Sequence, residues 1–106
     1  MKRQRVLGAW LVVVVALCSA SAVGCGGAVY AIQASSASSR LEEAKEIGAE
    51  KHAPYEYYLA REHMTKAAEE ASQGDYSDAI DLAEIAEEAA DKAIKLTREA
   101  HRGAGR

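Results

Sequence analysis

The fold is decided by residues 74–100, GDYSDAIDLAEIAEEAADKAIKLTREA. Within it Tyr76, Ala79, Ala83, Ala86, Ala90, Ala93, Thr97 and Ala100 recur three and four residues apart. That period of about 3.5 keeps one side of a helix facing a packed neighbour. Almost every member is alanine, which lets helix axes approach to about 8 Å, the near end of the usual range. Leu82, Ile85, Ala89 and Leu96 form a second stripe about 100° round the same helix, and Asp81, Glu84, Glu88, Asp91, Lys95 and Glu99 take the remaining face. Two stripes call for two neighbours. One is the preceding helix; the other is an earlier helix or a partner molecule.

Working back from Gly74, the preceding helix spans about 54–73. Pro54 suits its first turn, where the missing N–H has no intrahelical acceptor in any case. Tyr57, Ala60, Met64, Ala67 and Ala71 repeat at spacings of 3, 4, 3 and 4, a seam matching the one on the third helix. Gly74 stops the helix in a left-handed turn, Asp75 caps the next, and a connection this short forces the two antiparallel. Upstream, Ser39-Arg40-Leu41-Glu42 fits a capping box opening a first helix over about 40–49. The expected fold is all-α, an antiparallel helical hairpin extended to a three-helix bundle over 39–102, with helices at about 40–49, 54–73 and 76–101. Residues 103–106 are expected as a disordered tail.

The segment before the bundle has a different composition. Lys2, Arg3 and Arg5 are followed by no charge from Val6 through Ser39, and every acidic residue lies at or after Glu42. A basic start, the 12-residue apolar run VLGAWLVVVVAL (6–17) and small residues after it read as an export signal. Ala22-Val23-Gly24-Cys25 resembles the lipobox of bacterial lipoproteins, although alanine stands where leucine is commoner. The resemblance implies a signal peptide over 1–24 and a lipid on Cys25. Gly26 beside it, rather than Asp, implies sorting to the outer membrane, facing the periplasm. Two alternatives stay open. Ala20-Ser21-Ala22 suits ordinary signal peptidase, giving a soluble periplasmic protein, and Val6–Val23 approaches the length of an uncleaved inner-membrane anchor. Residues 25–38, rich in Gly, Ala and Ser, read as the lipidated cysteine and a flexible tether; the alternative is that the stretch around Val29 to Ala37 continues helically into the next segment.

Composition then narrows the function. Of 13 Lys and Arg, three precede Cys25, leaving ten against 16 Asp and Glu in the 82 residues from Cys25 onward. A net charge near −6 disfavours nucleic acid. With Cys18 removed and Cys25 lipidated, no thiol remains for a disulfide, metal or nucleophile. None of His52, His63 and His101 has a Glu three residues before it, which excludes the paired Glu-x-x-His of bundle di-iron sites. There is no phosphate loop and no nucleophile elbow, so neither cofactor, metal nor catalytic residue is expected.

The run from Ala53-Pro54 through Ala60, Met64 and Ala67 to Gly74-Asp75-Tyr76, then Ala79, Leu82-Ala83, Ala86, Ala90 and Ala93, resembles a family of small, alanine-rich bacterial helical lipoproteins catalogued as a domain of unknown function. Its members pair a lipoprotein signal with a helical hairpin and are often associated with outer-membrane-protein-A-like, peptidoglycan-binding domains. The resemblance covers residues 40–101 and implies no catalytic residue. No second domain is expected within these 106 residues. Gly74-Asp75-Tyr76-x-x-Ala79-Ile80 also resembles the turn and second helix of a tetratricopeptide repeat, but the first-helix Trp, Leu and Gly are missing and a solenoid needs about three repeats.

The expected function is therefore a non-catalytic structural or protein-interaction module on an envelope lipoprotein, held to the membrane through Cys25. Its partner is an envelope protein or a second copy. The alternatives are a ligand- or cell-wall-binding helical module and a single-repeat adaptor. The candidate partner surface is Tyr55, Tyr58 and Leu59, joined by Leu82, Ile85 and Leu96 of the second stripe, since aromatics are common interface anchors.

Overall fold

A computed structural model describes residues 2–20 and 24–105. Its elements, all helical among the described residues, are α1 (Lys2–Ala20), α2 (Gly24–Glu46), α3 (Ala49–His52), α4 (Pro54–Ser72) and α5 (Tyr76–Ala104). Ser21, Ala22 and Val23, the heart of both cleavage motifs and the end of the anchor alternative, lie outside the described residues. Among the described residues no helix is long and apolar enough to cross a membrane.

The α4–α5 hairpin follows from its turn chemistry. Gly74 has φ +81°; its N–H donates to the Ala71 carbonyl and the Asp75 N–H to that of Glu70, both at 3.0 Å. This pair of bonds closes a helix in a Schellman motif, which needs a left-handed residue that glycine alone adopts without strain. Asp75 then accepts from the Asp78 N–H at 3.3 Å, satisfying one orphan donor at the start of α5.

The chain before Ser39 differs from the expectation. Residues 25–38 are not a tether, and no helix starts at Ser39: one helix of 23 residues runs from Gly24 to Glu46. The polar side chains of the stretch find partners on α5, which is why it orders. Gln33 Nε2 and Ser36 Oγ each donate to the Glu87 carboxylate at 2.6 Å, bonds strengthened by the acceptor's charge. Ala37 and Ala44 are fully buried. The helix ends before Gly48, at φ +90°, and α3 links it to α4. At the other terminus α5 extends to Ala104, so residues 103 and 104 are helix rather than tail.

Three long helices therefore form the bundle, with α5 in contact with both α2 and α4. Contacts from α2 to α5 rise together in number, from Gly26 on Tyr76 through Ser36 on Glu87 and Arg40 on Asp91 to Glu43 on Arg98. The two helices are parallel, and α4 runs against both. The core is almost wholly alanine: of fourteen buried apolar residues among the described ones, only Tyr57 and Ile94 are larger. On α5, Ala79, Ala83, Ala86, Ala90, Ala93 and Thr97 are buried, with Tyr76 and Ala100 half-buried; on α4, Tyr57, Ala60 and Ala67 are buried, with Met64 and Ala71 half-buried.

Candidate functional site

Two parts of the surface bear on function: the start of α2, where Cys25 is exposed, and the outer side of the α4–α5 junction. At the first, Gly26 and Gly27 lie on the Tyr76 ring. A Cβ added at Gly26 would come within 3.1 Å of Tyr76 Cβ, and one at Gly27 within 3.5 Å of the ring. The Tyr30 ring is 6.4 Å away, centroid to centroid. At Gly26 a Cβ would be tighter than ordinary contact, so glycine there lets α2 sit close on the ring, whereas at Gly27 the added contact would be of ordinary length.

At the α4–α5 junction, Lys92 pairs with Glu56 at 3.7 Å. Helical spacing from that pair sets Tyr55 and Leu59 on α4, and Ile85, Ala89 and Leu96 on α5, along one seam. Tyr55 is exposed and Leu59 half-buried, packed on the Ala60–Ala89–Ala90 cluster. Tyr58, one turn from Tyr55, sets its ring edge-on to Tyr57 at 5.2 Å, with the Arg61 guanidinium 5.6 Å above it. Ile85 stays 43% exposed, the largest apolar side chain of α5 left open.

The second stripe is not available as a whole. Leu82 is half-buried and Ala89 buried, while Leu96 packs against the cluster of Ala44, Ala49, Ala53, Tyr57, Ala93 and Ile94. Leu96 is thus part of the core's edge, because α3 and the start of α4 close over that end. α4 packs on the alanine seam, Ala60 with Ala90 and Tyr57 with Ala93, and reaches Ala89 and Leu96 of the second stripe. The other neighbour differs from the expectation, since α2 lies along a third flank of α5 carrying Tyr76, Glu87 and Ile94. That flank mixes ring, carboxylate and isoleucine, so hydrophobic spacing alone passes over it. Its only sequence signal is the uncharged, Ser- and Gln-bearing run that complements Glu87.

Tyr57 is the one large aromatic inside. Burial first, and then the Glu50 carboxylate as hydrogen-bond partner, push its phenol above the ordinary range. At the same end, His101 Nε2 donates to the Ile47 carbonyl at 2.8 Å, and its ring meets that of His52 edge-on at 4.7 Å. His63 Nδ1 lies 2.9 Å from the Leu59 carbonyl. His101 thus bonds backbone just past the end of α2 and His63 bonds backbone within α4, while the His52 ring contacts His101.

Charge collects in two places. An open groove of about 360 Å³ between α2 and α5 is lined by Arg40, Asp91, Ile94, Lys95, Arg98 and Arg102. Two of its arginines are engaged: Arg40 with Glu43 at 3.2 Å and Asp91 at 3.3 Å, and Arg98 with Glu43 at 2.6 Å. At the α4–α5 turn the carboxylates of Glu70, Asp75 and Asp78 lie within 4.8 Å of one another. Asp75 there caps α5 and Glu70 pairs with Lys66 at 2.9 Å, so both have structural work.

The sequence model of the family described as Domain of unknown function (DUF4398) matches residues 33–104, and the chain belongs to that family. The match begins at Gln33, the first α2 residue bonded to Glu87, and ends with the last residue of α5. No curated protein and no solved structure matches the chain.

Proposed function

We propose that this DUF4398 member is a non-catalytic interaction module of the bacterial envelope, anchored by lipid on Cys25 in the outer membrane and facing the periplasm. The anchor half rests on the basic start, the apolar run and Ala22-Val23-Gly24-Cys25. The interaction half is carried by one observation: in a bundle whose interior is alanine, the large side chains Tyr55, Tyr58 and Ile85 are left outside, at 72%, 45% and 43% exposure. Aromatic side chains supply large contact area, and such anchors dominate binding energy at interfaces. An envelope protein with a complementary apolar groove is the partner this surface suits.

Two measurements test the reading. Cys25→Ser should abolish palmitate labelling and release the protein from the membrane fraction; retained label or retained membrane would refute the anchor. Photo-crosslinking in cells from position 58, with position 88 on the charged face as control, should trap one dominant partner at 58 alone. Equal yields at the two positions would refute the interface.

A second reading, an anion-binding helical module, is favoured by the groove in which Lys95 and Arg102 stand beside Arg40 and Arg98. Substituting both with Gln would then weaken binding to an acidic polymer and leave crosslinking from position 58 unchanged.

A further inference from the structure

The first two turns of α2 carry a stripe that no part of the bundle covers. Cys25, Ala28, Val29 and Ile32 stand at i, i+3, i+4 and i+7, one side of a helix. All four are exposed, Val29 by 51% and Ile32 by 72%. The opposite side of the same turns is engaged, with Gly26 and Gly27 on Tyr76 and Gln33 on Glu87. Single exposed apolar residues are ordinary on protein surfaces. These four form a continuous stripe whose first member is the residue read above as the lipid attachment.

Charge divides the same end of the bundle. Residues 24–39 of α2 have no ionisable group besides Cys25 and Tyr30, whereas the adjacent ends of α4 and α5 carry Glu69, Glu70, Asp75, Asp78, Asp81 and Glu84. An anionic lipid surface repels the acidic side and accepts the neutral, apolar one. The helix start therefore has the pattern of an interfacial helix, apolar toward the acyl boundary and packed to protein on its other side.

We propose that Cys25, Ala28, Val29 and Ile32 form a lipid-surface contact that holds the bundle directly on the membrane, with the Tyr76 ring fixing α2 to α5 so that no slack lies between anchor and domain. This rests on the reading that Cys25 carries the lipid. The acidic α4–α5 turn then lies across α2 from the lipid surface. Tyr55 and Tyr58, at the opposite end of the bundle, stand roughly the length of α2 from this contact, about 35 Å for 23 residues.

The experiment uses the full chain, processed in cells, extracted and reconstituted into phosphatidylethanolamine vesicles with a minor share of phosphatidylglycerol and brominated acyl chains. In a Trp10→Phe background, Ile32→Trp and Tyr58→Trp each supply the only tryptophan, at exposed positions where helicity should persist. Emission from position 32 should be blue-shifted and quenched severalfold by the brominated lipid, and emission from position 58 should be neither. If the protein floats with the vesicles and both positions stay unquenched, the contact is wrong while the anchor stands. A protein that does not float with them overturns the anchor, and this proposal with it. Crosslinking between two copies through position 32, without quenching, would assign the stripe to a second copy instead.

Discussion

Both α5 and α2 turn alanines into the core, yet they are held by different forces. On α5, six consecutive members of one seam, Ala79 to Thr97, are buried, and cohesion comes from close approach distributed over five turns. On α2 only Ala37 and Ala44 are buried, and the first half is fixed by a few directional contacts: two donors on Glu87 and a ring over two glycines. Distributed packing is felt globally when perturbed, because a dense interior relaxes little. A few local clamps release only the segment they hold.

The largest effect is expected where the two modes meet. Tyr57 fills the junction of α3, α4 and α5 beside Ala44, Ala53 and Ile94. Removing its ring leaves a cavity that alanine neighbours cannot fill. Tyr57→Ala should cost about 3–5 kcal/mol in urea unfolding, in line with other large aromatic deletions. Its phenol also sets an alkaline limit. Burial raises the folded pKa above the unfolded value near 10, so the folded state holds the proton more tightly. The contribution of Tyr57 is then flat below about pH 10 and falls as pH rises further, and Tyr57→Phe should weaken the alkaline loss of stability by that share.

Next come the seam alanines. Ala86→Leu inserts three carbons where the axes are close and should cost about 1–3 kcal/mol, whereas Glu84→Ala, on the exposed face, should change stability by less than about 0.5 kcal/mol. Equal effects in urea melts would mean that α4 and α5 do not pack on this seam.

That contrast also explains what could be read in advance. The hairpin was legible because Gly74, Asp75 and Pro54 each have a local mechanism, and because charges alternate with alanine at helical spacing over 76–100. α2 was less so: its first half stays open between a tether and a helical continuation, since Gly, Ala, Ser and Gln carry no periodic contrast of their own. Its order comes from Glu87, 51 and 54 residues away, which on its own helix reads as one more solvated carboxylate. Of the candidate partner surface, Tyr55, Tyr58 and Ile85 are outside, but Leu96 was indistinguishable from Ile85 by spacing alone. Only the closure of α3 and α4 over one end separates them.

Glu87→Ala sharpens the comparison at smaller cost. It removes two charge-assisted hydrogen bonds at a half-buried site, and about 1–2 kcal/mol should be lost. The loss should be local: amide exchange should speed up across residues 26–39 while α5 amides at 83–97 keep their protection. Uniform acceleration of both helices would show that α2 and α5 unfold together and that the clamps are not separable from the seam.

The smallest effect concerns the one polar member of the α5 seam. Thr97 is fully buried, and its hydroxyl has no hydrogen-bond partner. A buried hydroxyl without a partner costs its desolvation and returns nothing, while its methyl packs like that of valine. Thr97→Val keeps shape and β-branching and removes only the unpaired group, so stability should rise, by up to about 1 kcal/mol. Thr97→Ser keeps the hydroxyl and deletes the methyl, and should lower stability by a similar amount. If valine instead destabilised and serine were tolerated, the hydroxyl would be bonded in solution, for example to the carbonyl one turn earlier. The α5 seam would then share the directional character of α2, and the distinction between the two helices would narrow.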